Sequence, residues 1–149
     1  MMVLSCTQKI SPATTTPAVS PESPSSVVAG IFRYVNEHRQ SLGLQPLKIN
    51  EEANRQAYLH SRNMATGKTP FSHDGFEQRI ASIKKTTGWI TASAENVAYG
   101  KLSAREVVKG WLNSPGHKKN IEGNYQYTGI GIYQDRKGVT YFTQIFFRN

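Results

Sequence analysis

The sequence predicts an α+β domain, an α-β-α three-layer sandwich with a small antiparallel sheet between helices. Three observations predict it. Four segments repeat apolar residues at helical spacing. The C-terminal stretch alternates apolar residues with period two around a polar turn. Both sides of that alternation carry bulky groups, so the sheet must be covered on both faces.

Taken in order, Val28, Ile31, Phe32, Val35 and Leu42 mark the first helix, with Ser25 or Ser26 as cap and Gly43 as stop. Leu44-Gln45-Pro46-Leu47 reads as an extended link. Asn50 caps a second helix whose first turn holds Glu51 and Glu52, where the helix dipole favours acids. Its apolar stripe is Ala53, Ala57 and Met64, and His60 shares that stripe as a core histidine. Gly67 and Pro70 end it. Phe76 to Ile83 reads as a short third helix, and Ala94 to Ala98 as a strand. Ser103 and Glu106 form a capping box that opens a fourth helix burying Val107, Val108, Trp111 and Leu112. Ser114-Pro115 restarts a helical turn, serine as cap and proline at the first helical position, carrying His117 to Ile121. Ile130 and Ile132, then Val139, Tyr141, Thr143, Ile145 and Phe147, form a hairpin turned at Asp135-Arg136-Lys137-Gly138. Tyr133, Phe142 and Phe146 fall on its other side.

The chain divides near Val27. Residues 1–26 hold six Ser, four Thr and four of the seven Pro, with only Lys9 and Glu22 charged. Such a stretch has too little apolar surface to bury and is expected to be a disordered tether. Residues 27–149 are the folded domain. Val3-Leu4-Ser5-Cys6 is similar to the end of a bacterial lipobox, which makes a lipidated Cys6 one reading. Only five residues precede that cysteine, fewer than the apolar core of a signal peptide, about 7–15 residues, requires. An ordinary linker cysteine is the other reading.

The net charge of +8 and pI near 9.7 lie on the domain. Its paired lysines and arginines, as in Lys84-Lys85 and Lys118-Lys119, are scattered without a nucleic-acid-binding signature. A basic surface favours anionic partners all the same. No apolar run approaches the roughly 20 residues of a membrane span. A single cysteine excludes an internal disulfide framework and a Cys-rich zinc module.

The residues that could carry chemistry are His73, Glu95 and His117, with Tyr141 beside them. Each sits in a different segment, so only folding can assemble them. Two imidazoles and a carboxylate can hold Zn²⁺ with an open fourth position, or move protons. Their spacing, 22 residues and then 22 more, matches no local zinc motif. The plainer reading has both histidines tying down loops and Glu95 capping main-chain N–H groups. Ser114 reads as a cap, not a nucleophile, and neither it nor Ser72 has a G-x-S-x-G context. His38, late in the first helix, suits the negative end of the dipole.

Read together, several segments resemble the CAP superfamily: cysteine-rich secretory proteins, antigen 5 and pathogenesis-related 1 proteins, also called SCP-like domains. They are Val35-Asn36-Glu37-His38-Arg39; His60-Ser61-Arg62-Asn63-Met64; Phe71-Ser72-His73; Ala94-Glu95-Asn96-Val97-Ala98-Tyr99-Gly100; Trp111-Leu112-Asn113-Ser114-Pro115-Gly116-His117; and Tyr127-Thr128-Gly129-Ile130-Gly131 with Tyr141-Phe142-Thr143-Gln144. They run from about Val27 to Phe147, and the match is to the bacterial branch, without disulfides. The resemblance implies the same three-layer sandwich and a central cleft that binds a divalent metal in some members. Carried over by position, His73 matches the first cleft histidine and Glu95 the glutamate of the G-E-N motif. His117 stands where eukaryotic members supply a second glutamate, and Tyr141 where they have a second histidine. The eukaryotic tetrad is therefore not preserved.

The resemblance implies a secreted or surface-anchored, extracytoplasmic protein, and a monomer is expected. The first functional reading is a binding module for a lipid, glycan or protein ligand. The second is a metal-assisted hydrolase in which His73, His117 and Glu95 hold Zn²⁺ and polarise a water. The missing signatures weigh against the third, a nucleic-acid binder.

Overall fold

A computed structural model describes residues 22–149, so the proposed tether up to Pro21 and Cys6 lie outside the described residues. Helix α1 (Pro24–Ser41) begins earlier than the Val27 boundary read from composition. Ser23 is its cap, accepting from the Ser26 N–H at 3.2 Å, and Pro24 supplies a φ already set for a helix. Strand β1 (Lys48–Ile49) leads into α2 (Glu51–Ala65), which Asn50 caps through the Ala53 N–H. Then come α3 (Phe76–Thr87), β2 (Ala92–Gly100), α4 (Ala104–Leu112), α5 (Pro115–Ile121), β3 (Tyr127–Gln134) and β4 (Thr140–Arg148). The capping box of Ser103 and Glu106 is present as read. Helix α3 continues a turn beyond Ile83. Ser114 differs from its reading: its backbone opens α5, but its hydroxyl makes no cap bond.

The sheet runs β1-β3-β4-β2, with β1 parallel to β3 and the other pairs antiparallel. Alternation sorts its side chains. Ala94, Ile130, Ile132, Phe142 and Phe146 face α1, α4 and α5, where Ile31, Val35, Val107 and Trp111 complete the larger core. Ile145 and Phe147 face α2 and α3 and meet Ala53, Ala57 and Ile83. Phe142, Phe146 and Phe147 are fully buried, each worth about 1.5–3 kcal/mol in apolar transfer.

Helix α2 lies hard against β3 because β3 carries Gly129 and Gly131 on that face. A Cβ at either would overlap the α2 main chain near Ala53 or Tyr58. The two glycines thus set the height at which α2 holds His60 over the sheet. At the other end, β2 is an edge strand. Its outward carbonyls are covered: Trp111 Nε1 donates to Val97 O at 3.2 Å and Asn120 Nδ2 to Glu95 O at 3.4 Å. An edge closed by side chains in this way cannot template another strand.

Candidate functional site

The site is built around β2. Glu95 projects toward α2 and α3, on the same face as Val97 and Tyr99, while Asn96 projects toward α5. The Glu95 side chain is 1% exposed. A carboxylate so far from water needs a counter-charge, and the sequence reading named none. The structure supplies Arg79 of α3. Its Nε donates to Glu95 Oε2 and its Nη2 to Glu95 Oε1, both at 2.7 Å, a two-pronged pair of the strong kind.

Every donor of Arg79 is placed. Nη2 also reaches His73 O at 3.3 Å. Nη1 donates to Asp74 O at 2.8 Å and to His60 Nδ1 at 3.1 Å. His60 therefore carries its proton on Nε2, which donates to Ser72 O at 2.8 Å. Burial, then the neighbouring Arg79, push the His60 pKa down, so this core histidine is neutral. Together Arg79 and His60 fasten the main chain of Ser72, His73 and Asp74 to the domain.

That fastening aims His73. Its Nδ1 lies 2.9 Å from Glu95 Oε1. A carboxylate held by a guanidinium only accepts, so His73 Nδ1 is the donor. The ring is 54% exposed and its Nε2 turns no hydrogen bond to the described residues. Glu95 thus accepts from two side chains and caps no main-chain N–H, unlike the plainer sequence reading.

His117 comes from the opposite helical layer, over the edge of β2. Asn96 Nδ2 donates to its main-chain carbonyl at 3.1 Å, and Asn120 braces Asn96 at 2.9 Å. His117 Nδ1 lies 2.8 Å from Ser114 Oγ, which explains why that hydroxyl does not cap its helix. Burial first, and then the charge of His73, push the His117 pKa down. The two imidazoles, though carried by different layers, therefore stand within electrostatic reach of one another.

Tyr141 pairs with Tyr99 two residue pairs beyond each strand's pair-neighbours Val97 and Thr143 begin the cleft, four positions from Ile145 and Glu95. It stacks on Tyr99 at 5.6 Å between centroids, and Phe71 meets Tyr99 edge-on at 4.8 Å. Tyr141 makes no hydrogen bond to the histidines or Glu95. Its role in the site is aromatic, and the sequence reading missed its two companions. The signal was present: Phe71 stands two residues before His73, and Tyr99 four after Glu95.

As metal ligands the residues divide. Both oxygens of Glu95 already take N–H donors, and among the described residues no group of three His, Cys, Asp or Glu is placed to hold an ion. Two imidazole Nε2 atoms are left. His38, outside this site, meets Glu122 at 3.4 Å. No helix among the described residues is long and apolar enough to cross a membrane.

Known proteins share this arrangement of elements. Residues 32–146 match the model of the CAP, cysteine-rich secretory protein family. Protein YkwD of Bacillus subtilis is 33% identical over 81% of this chain, and membrane protein YlbC of the same organism 32% over 79%. The chain spans about half of the first, 48%, and 33% of the second. Among solved structures, an outer surface protein of Borrelia burgdorferi superposes with TM-score 0.75 at 21% identity, covering 86% of this chain and 96% of its own. An extracellular SCP-domain protein of Bacillus anthracis gives 0.68 at 25% identity, covering 88% of this chain and 45% of its own. On the family match, the two Bacillus subtilis relatives and the shared fold, this chain belongs to the CAP, cysteine-rich secretory protein family.

Proposed function

We propose that this CAP domain is an extracytoplasmic binding module that takes its ligand at the cleft of His73, Glu95, His117 and Tyr141 without a metal. The observation that carries this reading is the Arg79–Glu95 pair. A carboxylate whose two oxygens are spent on a guanidinium is a poor zinc ligand and a poor base. What it does well is orient His73. Lipid, glycan and protein remain the ligand classes of this reading. The site of action rests on the company the chain keeps, an outer surface protein and an extracellular one. Anchoring through a lipidated Cys6 is the surface-bound form of the same proposal.

The rival is the metal-assisted hydrolase, with His73, His117 and Glu95 around Zn²⁺. A calorimetric zinc titration of the parent and of His73→Ala separates the two, alongside thermal melts and peptide, ester and phosphodiester panels. We expect no zinc-dependent rise in Tm and no turnover. A rise that His73→Ala and His117→Ala both abolish would overturn the metal-free reading.

A further inference from the structure

The cleft pairs two kinds of surface that are seldom neighbours. At one end are imidazoles with one nitrogen each committed. His73 Nδ1 is committed to Glu95, and His117 Nδ1 to Ser114. The neutral His73 ring therefore presents Nε2 as an acceptor. The His117 ring can present Nε2 as donor or acceptor, according to how the Ser114 hydroxyl turns. At the other end is a run of three rings, Phe71, Tyr99 and Tyr141, joined at 4.8 and 5.6 Å. Phe71 is 46% exposed and Tyr99 56%. Glu95 and Tyr99 lie on one face of β2 four residues apart, about 13 Å at strand rise. The two ends form one surface.

From this juxtaposition we infer that the cleft binds a neutral hexopyranose glycan, one sugar ring lying against Tyr99 and its neighbours and a hydroxyl seated between His73 and His117. The inference rests on the binding-module reading and names its ligand class. A pyranose has an apolar C–H face and a rim of hydroxyls, and exposed aromatic rings beside fixed polar groups match both at once. A hydroxyl donates once and accepts twice, so one hydroxyl serves both imidazoles. Charge points the same way. Arg79 neutralises Glu95, so the floor of the cleft offers no free charge for an anionic head group. An acyl chain would satisfy the rings and leave the two nitrogens dry and unpaired, which costs affinity.

The test is calorimetric titration of the full chain with cellohexaose, chitohexaose and maltohexaose, with vesicles of phosphatidylcholine and phosphatidylglycerol and an unstructured peptide run in parallel. At least one sugar is expected to bind, with Tyr99→Ala weakening it by about tenfold or more. Tyr99→Phe, which keeps the ring, is expected to retain most of the affinity. His73→Gln is expected to weaken it as well. Tyr99 is exposed, so its variants should melt with the parent, and the melt is the check on folding. Silence from all three sugars at millimolar concentration overturns the inference. So does sugar binding that neither Tyr99→Ala nor His73→Gln alters. Vesicle or peptide binding that Tyr99→Ala abolishes, with no sugar bound, overturns the glycan class and leaves the binding module standing. Turnover, or a zinc-dependent Tm lost in both histidine variants, would remove the binding module itself.

Discussion

Two arginines are buried, one on each side of the sheet, and they are held differently. Arg39, at the end of α1, is 2% exposed and donates only to main-chain carbonyls: Gln45 O at 2.9 Å, Ile121 O and Gly123 O at 2.8 Å, and Tyr125 O at 3.3 Å. Burial pushes its pKa down, and no carboxylate bonds to it. Arg79, 7% exposed, splits its donors between a carboxylate, a histidine and two carbonyls. Arg39 joins chain segments. Arg79 joins chain segments and also fixes the charge and hydrogen-bonding of a functional side chain. The larger core around Arg39 is a scaffold. The thinner layer around Arg79 holds the cleft.

The largest predicted effect breaks this comparison open. Arg79→Ala leaves Glu95 dry and unpaired, costing about 3–5 kcal/mol. Adding Glu95→Leu to an Arg79→Met background removes both charges and should restore most of that stability, because an apolar pair can replace a buried ion pair at little cost. Arg39→Met has no such rescue. Its partners are main-chain carbonyls, each costing about 1–3 kcal/mol while it stays dry. Urea midpoints of the four variants measure the difference. Rescue of the Arg39 variant by any single second change, or failure of the Arg79 pair to recover, would erase the distinction drawn here.

Much of the scaffold side was legible before folding. The capping box at Ser103, the apolar stripe of α4 and the alternation of the hairpin are local patterns, set by period and by cap chemistry. The cleft histidines and Glu95 were nameable because they lie in motifs that resemble a family. Arg79 was not, because a lone arginine in Phe76–Thr87 has the same local signature as a solvated one; only its partner, sixteen positions along, makes it buried. The parallel strand β1 was missed for a similar reason, since two residues carry no period. Tyr141 was placed beside the histidines by alignment with a motif, and the strand register moves it along the face to Tyr99.

The next effect is on pH dependence, and it sharpens the contrast between the two sides. His60 is neutral in the fold, its pKa pushed below the ordinary value by burial and then by Arg79. In the unfolded chain it titrates near 6.5. Above that pH both states hold the neutral ring and its contribution is intact. As pH falls below about 6.5 the unfolded state takes up a proton that the folded state refuses, so stability is lost. His117, also lowered, acts in the same direction. The loss is at most about 1.4 kcal/mol per pH unit for the His60 ring. Urea midpoints should therefore fall between pH 7 and pH 5. His60→Gln, whose amide can accept from Arg79 and donate to Ser72 O, should flatten the slope. Phe146→Ala, on the α1 side, should cost about 3–5 kcal/mol and leave the slope unchanged.

The smallest effect lies at the start of α4, on the scaffold side. Ser103 Oγ accepts from the Glu106 N–H at 3.2 Å, and Glu106 Oε2 accepts from the Ser103 N–H at 2.7 Å. Removing the hydroxyl by Ser103→Ala should cost about 1 kcal/mol, the usual worth of an N-cap. The Ser103 donors hold the Glu106 pKa below its ordinary value. That contribution is present above the unfolded pKa, about 4.3, and is lost as pH falls toward the folded one, well below the range in which His60 acts. A midpoint series from pH 7 to pH 3 on parent and Ser103→Ala should thus show parallel curves down to about pH 5 and convergence below about pH 4. Ligand binding at the cleft should not change, since the cap touches only the layer that carries no cleft charge. A Ser103→Ala variant whose affinity fell with its stability would mean that the two sides of the sheet are coupled, and that the scaffold does more than stand behind the site.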